Sequence, residues 1–322
     1  MKRRAFIAGL GSAVAWPMVA RAQEPGRVYR LGCLIPAERQ NPAIVAFFDE
    51  LRIQGFVEGH NLEVLPGGFG IGRGRIDTMV ASIVQAVPDA IVSGPDRYTR
   101  AFQDATQTIP ILGMSEDMVA EGLVASLSRP GGNTTGISIF TPLLDGKRQD
   151  LLIEAVPGVR RIATLLDSAR TNQEHVQQLL TAARARGVEV SVLGVATYEQ
   201  VIPTIDAAKA AGAEAINFLS SPVFTVGAHP FLEHLTKLRL PAVHQWPEIA
   251  EDGGLLAYGP RFAEVFRQRA RMVAKVLRGA KPTDIPVEQP TKFELVINLV
   301  VAKTIGHDIP AGLVLRADEV IQ

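Results

Sequence analysis

From Val28 onward the chain alternates short β-rich runs with amphipathic helices, and that cadence admits few folds, because each strand–helix–strand unit covers a parallel sheet on both faces. Val28 to Pro36 reads as the first strand. Asn41-Pro42 then opens a helix with a cap and a proline at its first position; Ile44, Val45, Phe47, Phe48 and Leu51 share one face, and Gly55 ends it. The pattern predicts helices over 76–87, 98–106 and 119–126 and strands over 89–93, 109–114 and 134–139. It then restarts with helices over 144–156, 172–186, 198–211 and 230–239 and strands over 161–167, 188–195, 214–220 and 241–245. Strands over 255–258 and 285–289 and helices over 263–278 and 293–304 close the chain. The expected fold is α/β: two Rossmann-like lobes with parallel sheets, joined by a multi-strand hinge. Residues 23–140 with about 256–284 are assigned to the first lobe, and 141–255 with about 285–322 to the second.

Ahead of this pattern stands a different kind of segment. Lys2, Arg3 and Arg4 precede an apolar stretch from Ala5 to Ala20, and Ala20-Arg21-Ala22 offers a small-x-small cleavage site. Residues 1–22 are therefore expected to be a signal peptide and the working compartment the periplasm. The paired arginines followed by x-Phe-Ile, the mild apolar stretch and Arg21 before the cut favour the twin-arginine route over the ordinary secretory one.

Cleavage after Ala22 would take four of the 33 cations (Lys2, Arg3, Arg4, Arg21) and no acid, leaving 29 basic against 33 acidic residues, net −4. With no basic stripe either, a nucleic-acid partner is disfavoured. After Ala20 no uninterrupted apolar run reaches the ~18 residues of a membrane span, so the mature chain is not expected to cross one. Cys33 is the only cysteine, which excludes an internal disulfide; it reads as a buried strand residue, not as a lipid anchor.

Chemistry is harder to find. The stretch from Gly67 to Gly74 is glycine-rich but matches neither G-x-G-x-x-G nor a P-loop. His229, His234 and His244 lack the spacing and the partners of a zinc site, and no G-x-S-x-G elbow occurs. No catalytic set, metal or cofactor is expected. Polar and aromatic residues do follow the predicted strands, at the carboxyl edge where open α/β sheets bind ligands. In the first lobe these are Arg39, Ser93, Gly94, Asp96, Arg97, Ser115, Asp117 and Phe140. In the second they are Asp167, Arg170, Thr171, Asn172, Ser221, Phe224 and Trp246, and Tyr258 ends the strand expected to lead back into the first lobe. Two such edges facing each other make a cleft for a small molecule.

Three segments carry a resemblance: Gly55-Phe56-Val57-Glu58-Gly59-His60-Asn61, the run from Gly122 to Gly136 containing Ser128-Arg129-Pro130-Gly131-Gly132-Asn133, and Gln289-Pro290-Thr291-Lys292-Phe293-Glu294-Leu295-Val296-Ile297-Asn298; Ala317 to Ile321 adds a fourth. On these the chain resembles the periplasmic substrate-binding proteins of ABC transporters, the family that includes tryptophan-binding members. The resemblance implies a type I periplasmic-binding-protein fold that works without catalysis or a cofactor, with an ABC importer permease as partner of a monomer. A periplasmic sensor for a membrane receptor and a secreted α/β enzyme are the alternatives. Within the resemblance the loops at 93–97, 115–118 and 167–172 would carry the ligand, and this chain adds charge there through Asp96, Arg97, Glu116 and Arg170. Beyond the leader only Trp246 and four tyrosines supply large polar rings, too few for a typical sugar site. The expected solute is a small aromatic or apolar acid or amino acid. Phe140, Phe224, Trp246 and Tyr258 are the candidate ring contacts, Arg39, Arg97 and Arg170 the candidate carboxylate partners, and Asp96, Asp117 and Asp167 the candidates for a positive group.

Overall fold

The computed structural model describes residues 26–71, 73–139, 142–169, 173–225 and 228–322. The expected leader at 1–22 and four expected site residues, Phe140, Arg170, Thr171 and Asn172, lie outside the described residues. The first sheet is built by β1 (Tyr29–Leu34), α1 (Pro42–Ile53), β2 (Leu62–Val64), α2 (Ile76–Gln85), β3 (Ala90–Ser93), α3 (Asp96–Ala105), β4 (Ile111–Ser115) and β5 (Thr134–Ser138). Its strand order is β2-β1-β3-β4-β5 and every pairing is parallel.

The second sheet collects α4 (Pro142–Ala155), β6 (Arg161–Asp167), α5 (Gln173–Ala185), β7 (Glu189–Val195), α6 (Val201–Ala210), β8 (Ala215–Phe218), α7 (His229–Lys237), β9 (Ala242–His244), α8 (Pro247–Glu251) and β10 (Leu256–Gly259). The chain then recrosses to place α9 (Phe262–Leu277) on α1, and returns for β11 (Glu294–Asn298), α10 (Leu299–Ile305), α11 (Ala311–Val314) and β12 (Glu319–Ile321). The order is β12-β11-β10-β9-β8-β6-β7, with β10 and β11 the antiparallel pair.

Helix α1 shows how local signals set the first lobe. Asn41 Oδ1 accepts from the Ala43 N–H at 3.0 Å, Pro42 fits the first turn, and Gly55 leaves at φ +86°. Ile44, Phe47 and Leu51 are fully buried where α1 packs on α9, in one core with Val265, Phe266 and Val273; each such side chain contributes roughly 1.5–3 kcal/mol by leaving water. Cys33 is buried in β1, and burial pushes its thiol up to about 12.

The lobe boundary differs from the expectation. Leu256–Gly259 pairs with β9 and β11 inside the second sheet, so the return to the first lobe begins at α9. Residues 285–289 form only one bridge, Ile137 to Glu288, along β5; with α9 they belong to the first lobe. The helix expected over 293–304 is a strand and a helix. Leu295, Val296 and Ile297 are buried on both faces of a central strand, and such a run has no period to tell it from a helix. Asn298 then caps α10, accepting from the Val301 N–H at 3.0 Å. No helix forms over 119–126: Asp117 Oδ1 takes the N–H groups of Val119 and Ala120, each at 3.0 Å, and Gly122 turns the chain at φ +65°. The three-residue β2, absent from the expectation, is an edge strand too short to show alternation.

Candidate functional site in the interlobe cleft

The carboxyl edges of the two sheets meet where β4 and β9 end. Gln245 Nε2, from the second lobe, donates to both carboxylate oxygens of Glu116, from the first, at 3.3 Å each. Beside this contact Ser115 Oγ and Gln245 Oε1 are buried with no hydrogen-bond partner among the described residues.

On the first-lobe edge, Ser93 ends β3 fully buried, its Oγ 2.7 Å from Thr99 Oγ1. Gly94 and Asp96 are also buried, Asp96 opening α3. Arg97 is exposed, lying 4.9 Å from the centre of the Tyr98 ring and donating to its hydroxyl at 3.3 Å. Arg39 lies 3.5 Å over the Phe48 ring and pairs with Glu58, which ties its guanidinium to the first lobe's own surface. Asp117 acts as the turn cap described above.

The second-lobe edge is more polar. Asp167 ends β6 and accepts from Ser221 Oγ at 2.8 Å and from the Ala169 N–H at 2.9 Å. Next to it lies a cluster the sequence reading missed. Arg148 Nη2 pairs with Asp145 Oδ1 and donates to Ser220 Oγ at 2.7 Å, while Nη1 donates to the Tyr258 carbonyl at 3.1 Å. His175 Nε2 sits 2.9 Å from Asp145 Oδ2. Asp145 and His175 stand in or near the first turns of α4 and α5, the two helices that start at this edge. First turns bordering the cleft were the signal that could have found them. Arg148, 0% exposed, gave none, since a lone arginine in a helix reads as solvated.

The expected ring contacts divide. Phe224 is packed in the second-lobe core, its ring centre 5.2 Å from that of Phe218. Trp246 is buried and meets Phe262 edge-on at 4.6 Å, at the crossing between lobes. Tyr258 sits half-buried 6.4 Å from Phe293. Arg261, in that same crossing, pairs with Glu251, Glu294 and Glu319, fastening the hinge to the second sheet.

The three histidines are separate. His244 stacks on Phe218 at 4.9 Å, and burial pushes its imidazole down to about 3. His234 bonds Asp206, and His229 faces Glu233. Among the described residues no group of three or more His, Cys, Asp or Glu could hold a metal ion, and no helix is long and apolar enough to cross a membrane.

A family model described as ABC transporter substrate binding protein matches residues 70–321. The curated tyrosine-binding protein of Clostridioides difficile (strain R20291) is 23% identical over 255 residues, 78% of this chain and 73% of that protein. Among solved structures, a conserved domain protein of Vibrio cholerae O1 biovar El Tor superposes with a TM-score of 0.81 at 23% identity, over 91% of this chain and all of that one. A Streptococcus pneumoniae ABC domain in complex with L-Trp gives 0.80 at 22% identity with the same coverage. The ligand-free, open structure of a Clostridium difficile substrate binding protein with adhesive properties gives 0.67 at 22% identity, over 92% and 100% of the two chains. These likenesses establish the two-lobed fold.

Proposed function

Because this chain belongs to the family of ABC transporter substrate binding proteins, we propose that it captures a free amino acid with an aromatic or apolar side chain between its lobes and delivers it to an ABC importer. The observation that carries the reading is the meeting of the two edges at Glu116 and Gln245, where Ser115 Oγ and Gln245 Oε1 are buried without partners among the described residues. Buried polar atoms are almost always satisfied, so an unpaired set at a cleft marks where solute atoms belong. Asp167, oriented by Ser221, supplies the charge for an ammonium group, and the apolar Trp246–Phe262 contact lies at the crossing between the lobes. The amino-acid class draws support from the tyrosine-binding relative and the L-Trp complex.

In this reading the protein is a monomeric carrier working in the periplasm, without catalysis or cofactor, its residues 1–22 serving as the export leader. Thermal unfolding with L-Tyr, L-Trp, L-Phe, L-Leu, aromatic carboxylates and monosaccharides tests it, with Trp246 fluorescence as a second readout. A true ligand at 100 times its Kd adds ~2.7 kcal/mol of stability. Saturable sugar binding with no response to any amino acid overturns the reading.

A further inference from the structure

Arg269, on α9, is 1% exposed. Its Nη1 donates to the carbonyl of Ser93, the last residue of β3, at 3.0 Å. Its Nε and Nη2 have no hydrogen-bond partner among the described residues, and no carboxylate is paired with it there. Around the guanidinium stand the Phe266 ring, 4.3 Å from the cation, the Phe47 ring at 5.9 Å, and Cys33 of β1. Gly94 offers bare backbone: a Cβ built on it would lie 3.7 Å from Nη1. Burial lowers the guanidinium to about 10, so it stays charged at neutral pH.

A buried cation without a counter-charge is costly. Here the unpaired N–H groups are Nε–H and Nη2–H, the adjacent parallel pair that matches the two oxygens of a carboxylate. The guanidinium lies at the carboxyl end of β3, where Nη1 meets the Ser93 carbonyl, and α3 begins at Asp96, three residues beyond Ser93, so its first-turn N–H groups add positive potential. We propose that the Nε–Nη2 edge of Arg269 is an anion site for a carboxylate-class group, the counterpart in the first lobe of the acidic second-lobe edge. Resting on the amino-acid reading above, the site takes the solute's α-carboxylate; taken by itself, it holds a free small carboxylate such as formate or acetate.

The test uses the wild-type chain with Arg269→Met, which keeps the stem over Phe266 and removes the edge, and Arg269→Lys, which keeps the charge and loses the two-pronged geometry. Formate and acetate, added without amino acid at constant ionic strength, should raise the melting temperature of wild type and not of Arg269→Met. The Arg269 Nε–H resonance of the wild type should shift in a saturable way, a readout that survives if either variant fails to fold. If an amino acid binds, both variants should weaken it by about 10–100-fold, the size of one charged hydrogen-bonded pair, and formate should compete with it. Formate binding without such competition assigns the site to a free anion. An amino acid bound equally well by wild type and variants, with an unmoved Nε–H signal, overturns the proposal while leaving the amino-acid reading intact. Absence of any amino-acid binding, with the anion response present, sinks that reading and keeps the site.

Discussion

Replacing Arg148 with methionine should destabilise the second lobe by about 3 kcal/mol. The guanidinium is fully buried, pairs with Asp145 and donates to Ser220 Oγ and the Tyr258 carbonyl. Removing one partner of a buried pair typically costs ~3–5 kcal/mol, because the other charge is left in a poor solvent. His175, 2.9 Å from Asp145 Oδ2, stays behind and offsets part of that loss, which places the estimate at the lower end. Asp145→Asn should cost a similar ~3 kcal/mol by stranding Arg148. The double substitution removes both charges and should cost only about 2 kcal/mol, so the two losses would fail to add by ~4 kcal/mol. Urea unfolding followed by far-UV circular dichroism measures each loss from the midpoint and slope. Single losses below about 1 kcal/mol, or losses that simply add, would refute the view that this pair is desolvated and coupled.

His244 gives a pH dependence with a definite sign. The unfolded chain binds a proton near pH 6.5, whereas the native imidazole, held down by burial, stays neutral until about 3. Stability should therefore fall as pH drops through that window, by up to ~1.4 kcal/mol per unit, and His244→Phe, which can keep the stack on Phe218, should show a shallower fall in parallel melts. Gly136 sits at φ +151° where a Cβ would come 2.0 Å from the Gly113 carbonyl oxygen, so Gly136→Ala should cost about 3 kcal/mol or more; Gly122→Ala, at φ +65° in open space, should cost only about 1 kcal/mol, and equal melting temperatures for the two would reject the distinction. Changing Arg3 and Arg4 together to lysine should hold the precursor in the cytoplasm, and undiminished periplasmic protein on fractionation would assign export to the ordinary route.

Much of the candidate site lay beyond sequence reasoning for a shared cause. Ser93, Asp96, Ser115, Asp167 and Ser221 could be named as candidates because a residue at a strand's carboxyl end borders the cleft in any open α/β sheet. Arg148, His175 and Arg269 could not. Their roles depend on which groups lie across from them, 72 residues away between Arg148 and Ser220 and 176 between Arg269 and Ser93. Phe224 failed for the converse reason: it follows a strand and looks available, yet Phe218 and Phe231 draw its neighbourhood into the core.

The class of fold, two α/β lobes, is legible in local signals, because hydrophobic period, proline and asparagine caps and glycine stops act over a few residues and are written where they act. Long-range pairing sets the rest: Leu256–Gly259 stays in the second sheet, Glu294–Asn298 is a strand, and Glu116 meets Gln245. Those outcomes rest on pairings between distant segments: an apolar run takes the backbone partner that satisfies its N–H and C=O groups, and a charged side chain takes the role its buried neighbours leave open.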